Sequence, residues 1–592
     1  MNRALEAVQE RMKMKLGRRD FISGVAAAGA LSAFGIPASG RIARLGHMTD
    51  THVVGKIESL ARVRMALELF KAKGVEMVIN NGDIADRHIP EAYRLYRKVT
   101  NEVFPDVVAR PREVFAYAWH DQCAHQRATH ADPKDYRAAF ENVRRELGAQ
   151  DPVVCDFVWK GLPFVVMSEF TGSPGFPTWE EYEQTVARVC ASNPGKPVFV
   201  VDHVPPAGTT YHCWFWGNVN CRRILNKFPQ VVSLSGHVHG SLANERLIWQ
   251  GEFTAINAGC LQRWDGFLPG SQTNRANNKN SYAVLVIDVF PDRLVAYRHD
   301  VRDGSEVGPA WVVPFPFVAA SAPYRAGAHE KKFAVPQFAD GTSVSLVAKG
   351  DPLAGYELTI PETMADGKPP YNYRVRIQRK AASGAWKTFA RDDLMAEFWK
   401  AKKDRKGKVV HFLHSGFFAE AGAFRLSVTP MDFFYREGRP LVVDVPSGVK
   451  LKTLWESADS MKEMRYYEGG KPLEPDAEGF VAPKTVHGQF RFPKGALKDA
   501  VRNGVNQFVV DVETVQEDGD WHAWGVTLRG GGCGKLSHIQ TPVGKPGVLR
   551  YVMPFKLPEG KEFTGNCELS FFFRPEIKGN RFAIRRLALL AT

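Results

Sequence analysis

Two aspartates and four histidines stand in the order that divalent-metal chemistry requires. Asp50 and His52 form an Asp-x-His pair after the apolar run Ile42–Met48, and Gly82-Asp83-x-x-Asp86 follows Val75–Asn80. His203 sits in Val201-Asp202-His203-Val204-Pro205-Pro206, and Gly236-His237-x-His239 follows Val231–Leu234. Each pattern alone has an ordinary structural use, as a capped turn, a tight turn or a loop histidine bonded to backbone. Together, always after a strand-like run, they bring carboxylate oxygens and imidazole nitrogens to one sheet edge. That donor set suits one or two divalent ions of the Mn, Fe, Zn or Co kind, and a shared carboxylate is the usual bridge of a two-ion centre. Two ions roughly 3.5–4 Å apart clamp a hydroxide and the oxygens of a phosphoryl group undergoing in-line displacement.

Over about residues 45–300 the four motifs resemble those of the calcineurin-like metallophosphoesterases. The resemblance implies that Asp50, His52 and His239 hold one metal, that His203 and His237 hold the other, and that Asp83 bridges them, with Asp86 behind the ligands. The family's remaining motif is Gly-Asn-His-Asp/Glu, whose Asn is a ligand and whose His helps to protonate the leaving group. After the strand-like Glu113–Tyr117 the chain reads Ala118-Trp119-His120-Asp121, so His120 and Asp121 match while Trp119 replaces the Asn. Indole offers only an N–H donor and no oxygen.

Three readings of that substitution stand: an active enzyme with an altered or single-ion site, completion of the shell by Asp121, or a protein that binds ligand without turnover. Persistence of His120 beside six intact ligands favours activity. Trp119 also falls into an aromatic set with Tyr211, Trp214, Phe215 and Trp216, which either walls the leaving group or packs its own loop. The expected function is therefore hydrolysis of a phosphomonoester or phosphodiester through a metal-bound hydroxide. His120, Asp86 and Asp121 form the expected catalytic set, and Trp119, Tyr211 and Trp214 the substrate contacts. A reading from another class is a metal-stabilised binding protein whose C-terminal domains attach it to glycan or another envelope component.

Such a site needs a layered α/β sheet to hold it, since ligands gather at the carboxyl ends of strands. Apolar strand-like runs alternate with helix-like stretches such as Glu58–Lys73 from Arg41 to about Pro316, and Ser281–Asp288 with Asp292–Arg298 close this region as a hairpin. The resemblance implies a four-layer αββα sandwich over 41–316. Strand-like alternation with turn signals then dominates. Ser343–Ala348, Gly355–Ile360, Tyr373–Arg379, Phe424–Thr429 and Leu441–Val445 suggest an immunoglobulin- or fibronectin-type sandwich over 317–448, with a helix-like insert at Asp392–Lys403. Six more runs, Gly488–Phe492, Gln507–Val512, Ala523–Leu528, Val548–Pro554, Cys567–Phe573 and Phe582–Leu590, suggest a jelly-roll-like sandwich over 449–592. There Trp521, His522, Trp524 and Phe571–Phe573 offer stacking surfaces to a glycan, or simply fill a core. The fold class is thus α/β followed by two all-β sandwiches.

At 592 residues the chain exceeds what one core supports, and 44% hydrophobic with 24% charged residues excludes wholesale disorder and a polytopic membrane protein. The net charge of +14 suits anionic substrates, yet no Lys/Arg run implies specific nucleic-acid binding. Eight cysteines lack any C-x-x-C spacing and read as scattered thiols, with Cys213–Cys221 and Cys533–Cys567 as the candidate pairs were they oxidised. Lys13, Lys15, Arg18 and Arg19 precede Phe21-Ile22 and the small, apolar stretch Val25–Ile36. That order over residues 1–40 resembles a twin-arginine signal. It implies the twin-arginine export machinery as partner, a periplasmic or extracellular mature chain, and no transmembrane anchor.

Overall fold

Parallel strands covered on both faces have no side to show to water, which is why the apolar runs of the N-terminal half become buried strands. The computed structural model describes residues 40–591 without 55–56, 87–89, 123–132, 150–151, 174, 214–216, 267–275, 350–353, 401–403, 447–450, 458–463, 467–471, 473, 483–486, 492–496, 499–500, 502–504, 516–521, 531, 544–546, 565–566 and 573–580. The expected export segment, as far as residue 39, lies outside the described residues. The chain forms two compact units, one of residues up to Gly266 with Asn277–Phe333, the other of Phe267–Ala276 with Ala334–Thr592.

The first unit is built on twelve strands of two sheets: β1 (Ala43–Met48), β2 (Met77–Asn80), β3 (Arg112–Phe115), β4 (Val154–Trp159), β5 (Leu162–Met167), β6 (Val198–Val201), β7 (Val231–Ser235), β8 (Ile248–Gln250), β9 (Thr254–Asn257), β10 (Ala283–Val289), β11 (Arg293–Asp300) and β12 (Glu306–Pro314). One sheet runs β12-β11-β10-β1-β2-β3 and the other β4-β5-β6-β7-β9-β8. β1, β2 and β3 are parallel, as are β5, β6, β7 and β9, so their carboxyl ends share a direction within each sheet. Every residue of β2, β6 and β7 is buried.

Helices α1 (Ile57–Ala72), α2 (Pro90–Val103), the single turn α3 (Trp119–Gln122) and α4 (Pro133–Leu147) belong with the first sheet, while α5 (Trp179–Ser192) and α6 (Val219–Leu225) cover the second. Val63, Leu67 and Phe70 of α1, Tyr93 and Tyr96 of α2 and Val143 and Leu147 of α4 share a core with Val78 and Phe115. Tyr182, Val186 and Val189 of α5 and Ile224 and Leu225 of α6 pack with Val165, Val198, Val200 and Val231. Helix, sheet, sheet, helix is the layering that the resemblance implies. α5 starts where it does because Thr178 Oγ1 accepts from the Glu181 N–H at 3.2 Å while the Glu181 carboxylate accepts from the Thr178 N–H at 2.7 Å, a reciprocal cap. The unit runs past Pro316, because Tyr324 donates its N–H to Gln250 and receives the Val312 N–H on its hydroxyl.

The second unit is all antiparallel. A three-stranded sheet (Ser345–Lys349, Gly355–Pro361, Lys408–His414) and a four-stranded one (Trp386–Met395, Asn372–Lys380, Phe424–Met431, Leu441–Asp444) occupy its first part. A further four-stranded sheet is formed by Lys452–Glu456, Arg581–Ala591, Asn506–Val515 and Gly547–Phe555. A five-stranded sheet of Met464–Tyr466, His487–Arg491, Cys567–Phe572, His522–Gly530 and Lys535–Val543 completes it. Strand alternation lets Asn506–Val515 serve two cores: Phe508, Val510 and Val512 face one, and Val509 packs with Tyr373, Val375, Leu426 and Val428 in the other. Val552 and Leu590 do the same, so the 317–448 and 449–592 blocks share a core across their expected boundary.

One expected element is corrected. The helix-like insert Asp392–Lys403 is a strand as far as Met395, paired in register with Asn372–Lys380, and no helix follows among its described residues. Its helix-forming composition is overridden by burial of Asp392, whose carboxylate accepts from His411 Nε2 at 3.0 Å. Cys213 and Cys221, the first candidate pair, are free thiols, as are Cys190 and Cys260, while Cys567's side chain lies outside the described residues. No described helix is long and apolar enough to cross a membrane.

Candidate metal centre

Each strand end of the first unit delivers one part of the cluster. Asp50 and His52 follow β1, Asp83 and Asp86 follow β2, His120 lies in the turn after β3, His203 follows β6, and His237 and His239 follow β7. Ligand atoms of Asp50, His52, Asp83 and His239 lie within 4.8 Å of one another, as do those of Asp83, His203 and His237, and of His52, Asp86 and His120. The two groups implied for the two metals thus meet at Asp83. Five of the six expected ligands adopt left-handed backbone: Asp50 at φ 52°, His52 at 38°, Asp83 at 47°, His237 at 69° and His239 at 45°. Residues other than glycine adopt that region uncommonly, Asn, Asp and His most often among them, and such strain clusters at functional sites.

Two glycines let the loops close. A Cβ on Gly82, itself at φ 95°, would stand 2.3 Å from Ala116 O, and one on Gly236 would stand 1.9 Å from Thr49 Oγ1. The gap at Gly236 admits Asp50 Oδ2, which accepts from Thr49 Oγ1 at 2.7 Å and from the His237 N–H at 2.9 Å.

The donor atoms fit a cation better than they fit each other. Asp50 Oδ1 is buried and accepts no hydrogen bond, although His239 Nε2 lies 2.9 Å away. His52 Nε2 and His239 Nε2 are 3.1 Å apart, and His237 Nδ1 and His203 Nε2 are 3.2 Å apart. Asp83 Oδ2 lies 3.8 Å from His52 Nε2 and 3.5 Å from His203 Nε2. Facing pairs of imidazole nitrogens around buried carboxylates need a shared positive charge between them. A set of N and O donors without thiolate selects a borderline divalent ion.

Electrostatics keep those donors ready. Burial opposes ionisation of Asp50 and Asp83, but His239 beside the first and His203 beside the second outweigh it and hold both carboxyls well below their usual range. Burial likewise opposes the charged form of His52, yet Asp50, Asp86 and Asp83 prevail and lift it to about 9. His203 is raised well above its ordinary value by Asp83 against its own burial, whereas burial and the charge of His203 push His237 down to about 3. Protons thus occupy the charge positions that a metal would take.

His120 is oriented at both ends. Its N–H donates to Asp83 Oδ1 at 3.2 Å and its Nδ1 lies 2.7 Å from Asp86 O, which leaves Nε2 turned inward, 3.9 Å from Asp83 Oδ2. Asp86 stands 3.3 Å from His52 Nδ1, so it braces a ligand from behind, and the hydrogen bond from His52 holds its own carboxyl low. Asp121 is not among the clustered ligand atoms. Its buried carboxylate accepts from the N–H groups of Ala118, Ala85 and Ile84 and from Tyr93 Oη, tying the β3 turn to the loop after β2. Burial, then Asp83, push Asp121 up to about 6.

Trp119 opens the α3 turn, with its side chain outside the described residues, and Trp214 to Trp216 lie outside them altogether. Tyr211 is buried, its N–H on Arg246 O at 2.7 Å and its ring beneath the Arg246 guanidinium at 5.7 Å.

Two residues escaped the sequence reading. Asn81 Oδ1 accepts from His47 Nε2 while its Nδ2 donates to Asp202 O at 2.5 Å and Leu234 O at 2.6 Å, and so it joins the ends of β1, β6 and β7. A second polar residue closing a buried strand, Asn80-Asn81, was its only signal. Arg263 begins the short strand Arg263–Gly266 with Nε 3.4 Å from His239 Nδ1. Nothing in its local sequence marks it.

Residues 43–241 match a family model described as calcineurin-like phosphoesterase. No curated protein sequence matches the chain. Among solved structures, a dimetal phosphatase from Danio rerio is 11% identical with a TM-score of 0.31, the match covering 46% of this chain and 99% of that one. A purple acid phosphatase from yellow lupin is 9% identical with a TM-score of 0.34, covering 46% of this chain and 53% of that one. The phosphoesterase Yfce from E. coli is 14% identical with a TM-score of 0.22, covering 45% and 97%.

Proposed function

We propose, from the premise that residues 43–241 form a calcineurin-like phosphoesterase domain, that this chain hydrolyses a phosphomonoester or phosphodiester with the help of bound divalent metal. The observation that carries the proposal is the convergence of Asp50, His52, Asp83 and His239 in one group and of Asp83, His203 and His237 in another. A divalent ion held by these residues supplies charge stabilisation to the phosphoryl oxygens and lowers the pKa of water.

The chain's own residues do the rest. Asp50 and Asp83, kept anionic by their histidine neighbours, provide negative charge that survives at any working pH. His203 is locked with Nδ1 on Asn81 O at 2.7 Å, which fixes the tautomer and turns the Nε2 lone pair toward Asp83. His120 gives its Nδ1–H to Asp86 O, which turns Nε2 inward, and in the imidazolium form the proton on Nε2 is the one placed to reach a departing alkoxide. Trp119, in place of the expected Asn, leaves the Asp83, His203 and His237 group one oxygen donor short, so the second ion is held more weakly.

The test uses the full chain loaded with Mn, Fe or Zn against aryl phosphates and diesters. Hydrolysis is expected, with His120→Ala slowing it by about 10²- to 10⁴-fold and Asp83→Asn abolishing it. Activity that survives Asp83→Asn unchanged overturns the site assignment. One tightly held ion with no turnover on any ester would instead support a metal-stabilised binding role. Arg18-Arg19 ahead of Val25–Ile36 supports export by the twin-arginine route, to be checked by the location of the tagged chain in wild type and in the double Arg→Lys variant.

A further inference from the structure

We propose that Arg263 is the side chain that receives the non-bridging oxygens of the substrate's phosphoryl group, an inference that rests on the phosphoesterase reading. Its placement comes from the loop that follows β9. Asn257 Nδ2 donates to Gly236 O at 2.6 Å, and Gly259 N–H returns to Asn257 Oδ1 at 2.9 Å. Leu261 N–H reaches Thr49 O at 3.2 Å, and Cys260 Sγ lies 3.4 Å from Asp50 O and accepts from the Arg263 N–H at 3.3 Å. Arg62 of α1 clamps the next residue, bonding both the main-chain oxygen and Oε1 of Gln262. Arg263 therefore rides on the same backbone that fixes Asp50 and His237, and it is half-buried rather than sealed.

The guanidinium is only partly engaged. His239 turns Nε2 toward Asp50 Oδ1, 2.9 Å away, and His52 Nε2, 3.1 Å away, and presents Nδ1 to Arg263. Arg263 Nε donates to His239 Nδ1 at 3.4 Å, which engages Nε alone of the guanidinium nitrogens among the described residues. Among the described residues Arg263 forms no ion pair with a carboxylate, and its charge adds to those of His52 and His120 in holding the Asp86 carboxyl low. A guanidinium tied through Nε to His239, with no hydrogen bond from Nη1 or Nη2 to the described residues, offers a planar fork matched to two oxygens of one phosphoryl group.

Inorganic phosphate is the probe, titrated calorimetrically into metal-loaded full chain alongside a count of bound ions. Arg263→Ala is expected to keep the wild-type ion content and weaken phosphate roughly 10- to 100-fold. Arg263→Lys is expected to recover part of that loss, since it keeps the charge without the fork. Unchanged phosphate affinity at unchanged ion content overturns the proposal, and so does loss of ions, which would make Arg263 a support for His239. Wild-type protein that binds metal but no phosphate fails the phosphoesterase reading itself, a result separate from either outcome with the variants.

Discussion

His203 Nδ1 and the main-chain oxygen of Asn81 lie 2.7 Å apart, and that contact decides which imidazole nitrogen faces Asp83. The oxygen is held in place by its own side chain, whose amide donates to Asp202 O and Leu234 O and meets His47. Asn81→Leu keeps the volume but strands the Asp202 carbonyl and the His47 imidazole, while Leu234 O keeps the Asp202 N–H. It should cost about 2–4 kcal/mol of stability, at 1–3 kcal/mol for each group left unsatisfied and partly relaxed, and should lower bound metal as His203 loses its orientation. The denaturation midpoint and the ion count of the variant check this, and a wild-type value for both would remove Asn81 from the site.

Chelation and its converse test the substituted position. If metal binds only the folded centre, an excess of chelator should lower the unfolding temperature of the first unit, by about 4 kcal/mol of stability when free metal had stood a thousandfold above its dissociation constant. Trp119→Asn restores a carbonyl oxygen at the head of the α3 turn, where the next N–H already bonds Asp83 Oδ1. Its ion content after dialysis at fixed free Mn should exceed that of wild type. Equal content in the two proteins would mean that position 119 does not face the ions.

Much of this centre was legible because each ligand is tied to a strand end. The apolar runs Val75–Asn80 and Val231–Leu234 overlap the observed strands β2 and β7 to within two residues at each end, and the order Asp50, Asp83, His203, His237 then follows from the connectivity. What escaped depended on packing between elements. Asp121 had the right neighbours in sequence, yet its oxygens go to backbone N–H groups of the loop after β2. Asp392–Met395 carries helix-forming residues, yet pairing with Asn372–Val375 decides its conformation. The run Phe508-Val509-Val510 announces a strand apolar on both faces, but which two cores it serves is settled only by the sheets that pack on it.

Acid should weaken the first unit through His299. Burial, then the charge of Lys73, lower its pKa from 6.5 to about 4, and its Nδ1 lies 3.0 Å from Gly304 O. A folded value below the unfolded one means that the unfolded chain binds more protons between those limits. The group's stabilisation is therefore complete above pH 6.5 and is lost as pH falls toward 4. At pH 5 the loss is about 2 kcal/mol. His299→Asn keeps an N–H for Gly304 without titrating, so its stability difference between pH 7 and pH 5 should be smaller than that of wild type by about this amount. Parallel pH profiles for the two proteins would assign the acid sensitivity elsewhere.

Arg550 binds the two blocks of the second unit through charge. Fully buried, it meets Asp511 at 2.7 Å from both Nε and Nη2 and Glu420 at 2.6 Å, with Phe389 4.4 Å beneath the guanidinium. Removing one member of a buried pair leaves an uncompensated charge, which costs about 3–5 kcal/mol, whereas replacing both by apolar groups is often neutral. Arg550→Met should thus lower the denaturation midpoint of the second unit sharply. Adding Asp511→Leu should restore most of the loss, because Glu420 retains Arg379 as a partner. Denaturant titration of the single and double variants measures the difference, and a double variant as unstable as Arg550→Met alone would show that packing of the long side chain, rather than its charge, stabilises the junction.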